Sequence, residues 1–458
     1  MDIERLYGIF CESRGVNTDS RSFERGQMFF ALKGENFDGG DYASQVLEKG
    51  ACCAVVTEGS AAAALGDPRI VAVPDTLDAL KALAAWHRQT LRTGSEAARR
   101  LFGESEAGEW PLPVLAITGT NGKTTTKELI RCVLAARYKV FATRGNFNNE
   151  VGVPLSLLSI EPGTELAVIE MGASHPEDLV PLLGTARPDL GLITNVGRAH
   201  LEHFGSFEGV QRAKGRMYDY ISTQGGRVFV NADDDLLVEM ASQRGLDTVP
   251  YGLRYQGCRV LKVSNRHPYL RIKTPAGVIN TCLVGDYNAP NVLAALAVGE
   301  FFGVTFEAAR SAIEAYVPSN NRSQMVRTGR NTLIVDAYNA NPTSMAAALD
   351  NFASFKGYKI AMLGSMGELG GSSVQDHAGV LERVVSLAPD SICLVGEGFR
   401  QALEATGYVA DHNSPEAPGL HWYRDSAELA GRCAGVRRSL VLVKGSRSQQ
   451  MELCVKEL

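Results

Sequence analysis

An apolar run, Val114-Leu115-Ala116-Ile117-Thr118, passes directly into Gly119-Thr120-Asn121-Gly122-Lys123-Thr124. The residues that follow, Thr125-Thr126-Lys127-Glu128-Leu129-Ile130, carry apolar positions at helical spacing. Strand, glycine-rich turn and helix start together make a seat for a nucleoside triphosphate. Glycines let backbone N–H groups wrap phosphate oxygens, and the helix N-terminus adds a partial positive charge. In such a loop Lys123 bridges the terminal phosphates and Thr124 offers its hydroxyl to Mg²⁺. The strict pattern has glycine five residues before Gly122, where Ile117 stands; the first glycine here is Gly119, so the loop is a shortened variant.

Three further positions could do chemistry. The run Leu166-Ala167-Val168-Ile169 ends in Glu170, and a carboxylate at the C-terminal end of a strand in an open α/β sheet faces the ligand crevice. There it could hold the Mg²⁺ that bridges ATP phosphates; taken alone it fits a solvated strand end equally well. His200 follows the next strand, Leu190–Asn195, although magnesium prefers oxygen to imidazole. Lys214, in Ala213-Lys214-Gly215, reads on composition as a surface lysine.

These residues need a scaffold that aims strand ends at one crevice. Short β-branched runs alternate with longer segments of helical period. Expected strands are Ala51–Thr57, Arg69–Pro74, Pro113–Thr118, Glu165–Met171, Leu190–Val196, Arg227–Asn231, Thr332–Ala337, Tyr358–Leu363, Ser391–Val395 and Ser439–Val443. Continuous apolar strands with helices between them predict an α/β fold of mainly parallel sheets covered on both faces. A Gly-, Ser-, Glu- and Pro-containing stretch from about Thr93 to Pro113 reads as a linker. A second break falls near Pro318-Ser319-Asn320-Asn321, after a helical stretch over Asn291–Ala315. The expectation is three domains: 1–110, 111–316 and 317–458.

The bulk numbers bound the function. A chain of 458 residues is too long for one ordinary core. With 45% apolar and 21% charged residues it has the composition of a folded protein. A net charge of −5 gives no sign of general affinity for nucleic acid or anionic membrane. The nine cysteines are scattered without a CxxC pair, so neither a zinc site nor a disulfide framework is indicated. No apolar run approaches the roughly 20 residues that cross a bilayer, and the N-terminus lacks the pattern of a signal peptide. The expectation is a cytoplasmic protein without membrane insertion.

In order along the chain, the sequence resembles the Mur ligase family. The resemblance is carried by Gly119–Thr124, Asn146-Phe147-Asn148-Asn149-Glu150, Glu170-Met171-Gly172, Ala199-His200-Leu201-Glu202, Asn288-Ala289-Pro290-Asn291 and Asp336-Ala337-Tyr338-Asn339-Ala340-Asn341-Pro342. Thr18-Asp19-Ser20-Arg21, Phe29–Gly34 and Lys444-Gly445-Ser446-Arg447 extend it over essentially the whole chain. The Asp336–Pro342 stretch resembles the branch that joins D-alanyl-D-alanine to UDP-N-acetylmuramoyl-tripeptide, and the Asp-Asn-Pro-Arg motif of the diaminopimelate- or lysine-adding branch is absent.

The resemblance implies an N-terminal UDP-binding domain, a central ATPase and a Rossmann-like C-terminal domain. It implies ATP with two Mg²⁺ ions, held by Thr124, Glu170, His200 and a carbamylated Lys214. Gly119, Thr120, Asn121, Gly122, Lys123, Thr124 and Thr125 would line the phosphates, Asn288 and Asn291 the adenine. Arg322 and Asp336 would reach ATP from the C-terminal domain. Asn148, Asn149 and Asn339 would contact the muramoyl-peptide substrate, and Ser20 and Arg21 its uridine diphosphate. A monomer is expected. The family has glycine before the arginine matched by Arg322, whereas Asn321 stands here. Asparagine tolerates left-handed backbone angles better than most residues.

Overall fold

A computed structural model describes residues 2–34, 37–319 and 322–458. Asn320 and Asn321, which carry the expected second break and the substitution before Arg322, lie outside the described residues. The first sheet has four parallel strands in chain order, Val16–Asn17, Met28–Phe30, Cys53–Thr57 and Ile70–Val73. Helix Thr76–Thr90 leaves it, started by Asp75, whose carboxylate accepts from the Asp78 N–H. Leu80, Leu83 and Ala84 of this helix share one continuous apolar core with Leu157, Leu182 and Leu183 beside the central sheet. The stretch read as a linker has structure of its own. Helix Glu96–Phe102 buries Ala97 and Ala98, and Arg92–Thr93 pairs antiparallel with Trp110–Pro111. Its polar composition hid the two alanines and the Ser95 cap that make it a helix.

The central sheet has six strands, all parallel. Their spatial order is Asp247–Tyr251, Arg227–Asn231, Leu190–Ile193, Val114–Thr118, Leu166–Glu170 and Val140–Ala142. The first strand in sequence lies between two neighbours reached in opposite directions, so its C-terminal end opens into the crevice where such sheets bind ligands. The stretch expected as one helix over Asn291–Ala315 is two, Ala289–Phe301 and Phe306–Ala315, divided at Gly303. A small antiparallel sheet, Arg259–Leu261, Arg271–Thr274 and Gly277–Asn280, was absent from the expected α/β pattern.

The third large sheet also has six strands. Its order is Gln324–Arg327, Thr332–Asp336, Leu440–Lys444, Lys359–Gly364, Ser391–Val395 and Gly419–Tyr423; only the first pairing is antiparallel. Among the described residues no helix is long and apolar enough to cross a membrane. All nine cysteines are free thiols.

Candidate active site

The phosphate loop is braced from the neighbouring strand end. Thr194 Oγ1 donates to the Asn121 carbonyl at 2.6 Å, Asn195 Nδ2 donates to the same carbonyl at 2.9 Å, and Asn121 N donates back to Asn195 Oδ1 at 3.0 Å. These contacts explain why the strand expected to reach Val196 stops at Ile193: the next two residues turn to hold the loop. Gly119 has φ +143°, and a Cβ there would lie 1.9 Å from Thr194 Oγ1, so only glycine fits. Gly122, at φ +82°, precedes helix Lys123–Ala135. Lys123 Nζ donates to the loop's own carbonyls, Gly119 O at 2.8 Å and Thr120 O at 3.2 Å. Desolvation lowers the pKa of its ammonium, partly countered by Glu170.

Glu170 closes the adjacent strand, 1% exposed. Its Oε1 accepts from Thr124 Oγ1 at 3.1 Å and from Asn148 Nδ2 at 2.9 Å. Its Oε2 is buried without a hydrogen-bond partner among the described residues. An orphaned carboxylate oxygen beside a threonine hydroxyl is a position that a hard cation fits, since buried acceptors otherwise find donors. Among the described residues no group of three or more His, Cys, Asp and Glu gathers to hold a metal, so any cation here takes a mixed set of ligands. Lys127 Nζ stands 3.7 Å from Glu170 Oε2 and donates to Thr143 O at 2.6 Å. This fully buried lysine escaped sequence reasoning.

Lys214 corrects the composition reading: it is 2% exposed. It lies on helix Phe207–Thr223, in the buried stripe with Val210, Met217, Tyr218 and Ile221. Burial, with a smaller push from Lys123, lowers its pKa to about 7. His200 precedes the short helix Leu201–Phe204, and its Nδ1 meets the carboxylate of Glu368 from the third sheet's side. That imidazole holds the Glu368 carboxyl below its usual range.

Asn288 and Asn291 are buried. Asn291 Oδ1 accepts from Thr126 Oγ1 at 3.0 Å, its Nδ2 donates to Asn288 Oδ1 at 2.9 Å, and Asn288 Nδ2 donates to Val284 O at 2.9 Å. The pair ties helix Ala289–Phe301 to the phosphate-loop helix. Thr125 is buried on the loop helix's first turn, and Thr120 Oγ1 accepts from Gly197 N at 2.9 Å.

The third sheet's side reaches the loop directly: Asn341 Nδ2 donates to Asn121 Oδ1 at 2.8 Å. The Arg322 guanidinium stacks 3.6 Å from the Tyr338 ring centroid. Asp336 Oδ2 accepts from the buried Lys444 Nζ at 2.6 Å, and its Oδ1 accepts from Ser323 N at 3.2 Å. The Asn339 carbonyl also accepts from Lys444, at 3.3 Å. Asn149 Oδ1 accepts from Gly152 N at 2.8 Å, at the start of helix Gly152–Leu158. Among the described residues, Ser20 and Arg21 engage only partners of the first sheet's unit in hydrogen bonds. The Ser20 carbonyl accepts from Lys49 Nζ at 2.8 Å, and exposed Arg21 clasps Asp19 through its Nη2 at 2.7 Å.

Comparison with known proteins agrees with this geometry. The Mur ligase family, catalytic domain, matches residues 12–88; the Mur ligase middle domain matches 117–299; the Mur ligase, glutamate ligase domain matches 321–447. The UDP-N-acetylmuramoyl-tripeptide–D-alanyl-D-alanine ligase of Bacillus subtilis strain 168 is 33% identical over 451 residues, covering 97% of this chain and 93% of that protein. The ligase of the same name from Escherichia coli strain K12 is 32% identical, covering 99% and 95%. A crystal structure of MurF from Acinetobacter baumannii superposes with a TM-score of 0.81 at 28% identity, covering 99% of this chain and 98% of that one. A match of this extent, across all three sheets and the loop they surround, makes the chain a member of the Mur ligase family.

Proposed function

We propose that the chain is an ATP-dependent ligase that joins D-alanyl-D-alanine to UDP-N-acetylmuramoyl-tripeptide during the cytoplasmic stage of peptidoglycan synthesis. The observation that carries this reading is the nearly full-length likeness to ligases of that one activity. The tripeptide's terminal carboxylate attacks the γ-phosphorus of ATP, the bond to the ADP oxygen breaks, and an acyl phosphate forms. The dipeptide amine then adds to the acyl carbon, and the tetrahedral intermediate loses its proton and expels phosphate. Mg²⁺, when bound, supplies charge neutralisation for the transferring phosphoryl group.

Thr124, Glu170, His200 and Lys214 would hold two such ions. The orphaned Glu170 Oε2 supports this assignment. Lys123 exchanges its two loop carbonyls for phosphate oxygens, and the N–H groups of Gly119 to Thr125 line the phosphates. Asn288 and Asn291 border the adenine. Arg322 and Asp336 approach ATP from the C-terminal domain. Asn148, Asn149 and Asn339 orient the muramoyl-peptide, while Ser20 and Arg21 hold its uridine diphosphate. Positioning the amine beside the acyl phosphate turns a bimolecular step into a local one. The chain acts as a monomer divided at about residues 110 and 316.

Phosphate release from ATP and Mg²⁺ tests the reading. Release should require both UDP-N-acetylmuramoyl-tripeptide and the dipeptide, with a product mass gain of the dipeptide less water. Release that ignores both substrates would reject it.

Lys214 carries a further expectation. A buried amine with a pKa of about 7 is substantially neutral at neutral pH, and the neutral amine adds CO₂, losing a proton to become a carbamate. This converts a cation into an anionic oxygen ligand. Protein equilibrated with ¹³C-bicarbonate should show one enriched carbonyl resonance that is missing from Lys214→Ala. Its absence from the parent protein would refute the carbamate.

A further inference from the structure

We propose that Glu368 is a positioning residue which the C-terminal unit supplies to His200, fixing the imidazole for the divalent cation held in the central unit. The inference rests on the reading above, that His200 is a cation ligand. Imidazoles that bind metals almost always present their other ring nitrogen to a carboxylate or carbonyl, which sets tautomer and ring plane. His200 Nδ1 is buried from solvent and meets no hydrogen-bond partner of regular geometry among the described residues; the group set against it is Glu368 Oε2, an ion-pair contact, so Nε2 is the nitrogen left for the cation.

The contact crosses from one unit to the other. His200 follows central strand Leu190–Ile193, whereas Glu368 follows strand Lys359–Gly364 of the third sheet. Both residues have left-handed backbones, φ +53° for His200 and +59° for Glu368. Neither is glycine, and such conformations persist only where the surroundings impose them, often at functional sites. The seam around them is tight. Glu202 N lies 3.5 Å from the Glu368 carbonyl, and a Cβ on Gly370, itself at φ +56°, would stand 3.0 Å from Glu202 Cα. The imidazole's partner is therefore present only when the C-terminal unit is seated, which links that seat to the cation site.

The probe is Mn²⁺ binding followed by electron paramagnetic resonance with ADP present, in the parent, Glu368→Ala, Glu368→Gln and His200→Ala. Glu368→Ala should weaken Mn²⁺ by about ten-fold or more. Glu368→Gln, which keeps an acceptor oxygen, should remain within about three-fold of the parent, a rescue that a merely structural role would not give. Unchanged binding in Glu368→Ala alongside weakened binding in His200→Ala overturns the inference and leaves the ligand assignment standing. Unchanged binding in His200→Ala overturns both. A second readout needs neither metal nor a folded Glu368 variant. Ring ¹⁵N resonances of cation-free parent protein, assigned with His200→Ala, should show His200 protonated on Nδ1; a neutral ring protonated on Nε2 overturns the inference.

Discussion

Lys123→Ala is expected to lower kcat for the ligase reaction by about a thousand-fold or more while leaving the protein folded, a loss of about 4 kcal/mol in transition-state stabilisation. The expectation follows from the surroundings of Nζ. Among the described residues its hydrogen bonds run only to Gly119 O and Thr120 O, backbone carbonyls of the loop itself, so truncation removes no cross-sheet hydrogen bond between them. The charge is held in a partly desolvated pocket, where its attraction to phosphoryl oxygens is stronger than in bulk water. Lys123→Arg should not rescue, because a planar fork cannot reproduce a point charge on a short reach. Circular dichroism and urea unfolding would establish the fold, and quenched-flow ADP formation would give the rate. A folded alanine variant within ten-fold of the parent would remove Lys123 from the phosphoryl-transfer step.

What could be read without a structure divides along physical lines. The phosphate loop was legible because its strand, glycines, lysine and helix start are contiguous, and local backbone geometry dictates their types. The strand carrying Glu170 was legible as a continuous apolar run, since a strand covered on both faces has no polar side. The burial of Lys214 and Lys127 was missed, although the pattern held a signal for it. Lys214 stands four residues after Val210 and three and four before Met217 and Tyr218, and Lys127 stands three before Ile130, so each interrupts a buried stripe. A lysine on an apolar stripe is the signal that composition alone passes over. Glu368 offered no such signal. It lies in a loop, and its partner His200 is brought to it by the seating of one sheet unit against another. The Asn121–Asn341 contact is equally remote in sequence. Strand Asp247–Tyr251, with Pro250 in it, and the three short antiparallel strands were hidden because edge position and pairing compensate for weak local patterns.

Arg88→Ala is expected to destabilise the protein by about 2–4 kcal/mol at neutral pH, somewhat below the range for breaking a fully buried ion pair from one side, because Asp189 keeps some contact with water. Arg88 lies on helix Thr76–Thr90, and its side chain is only 6% exposed. Its Nη2 donates to Asp189 Oδ2 at 2.9 Å and to Arg187 O at 3.2 Å, and its Nε donates to Ala186 O at 3.1 Å. Two of these acceptors lie at the end of helix Leu179–Ala186, and Asp189 Oδ2 also accepts from Val114 N at 2.9 Å, at the start of the phosphate-loop strand. Removing the guanidinium leaves two carbonyls and a half-buried carboxylate short of donors, across the seam where Leu80, Leu83 and Leu183 share one core. Burial already raises the Asp189 pKa and Arg88 pulls it back, so the variant's Asp189 should titrate higher still. A folded pKa above the unfolded one favours the native state below the unfolded value and loses that advantage as pH rises through the folded value. The deficit of Arg88→Ala should therefore be largest near pH 7 and shrink as pH falls toward the ordinary carboxylate range, about pH 4. Arg88→Lys keeps the charge but not the fork and should fall between. Urea unfolding at both pH values reads the effect, and a variant within about 1 kcal/mol of the parent at pH 7 would show that this pair does not hold the first unit to the central sheet.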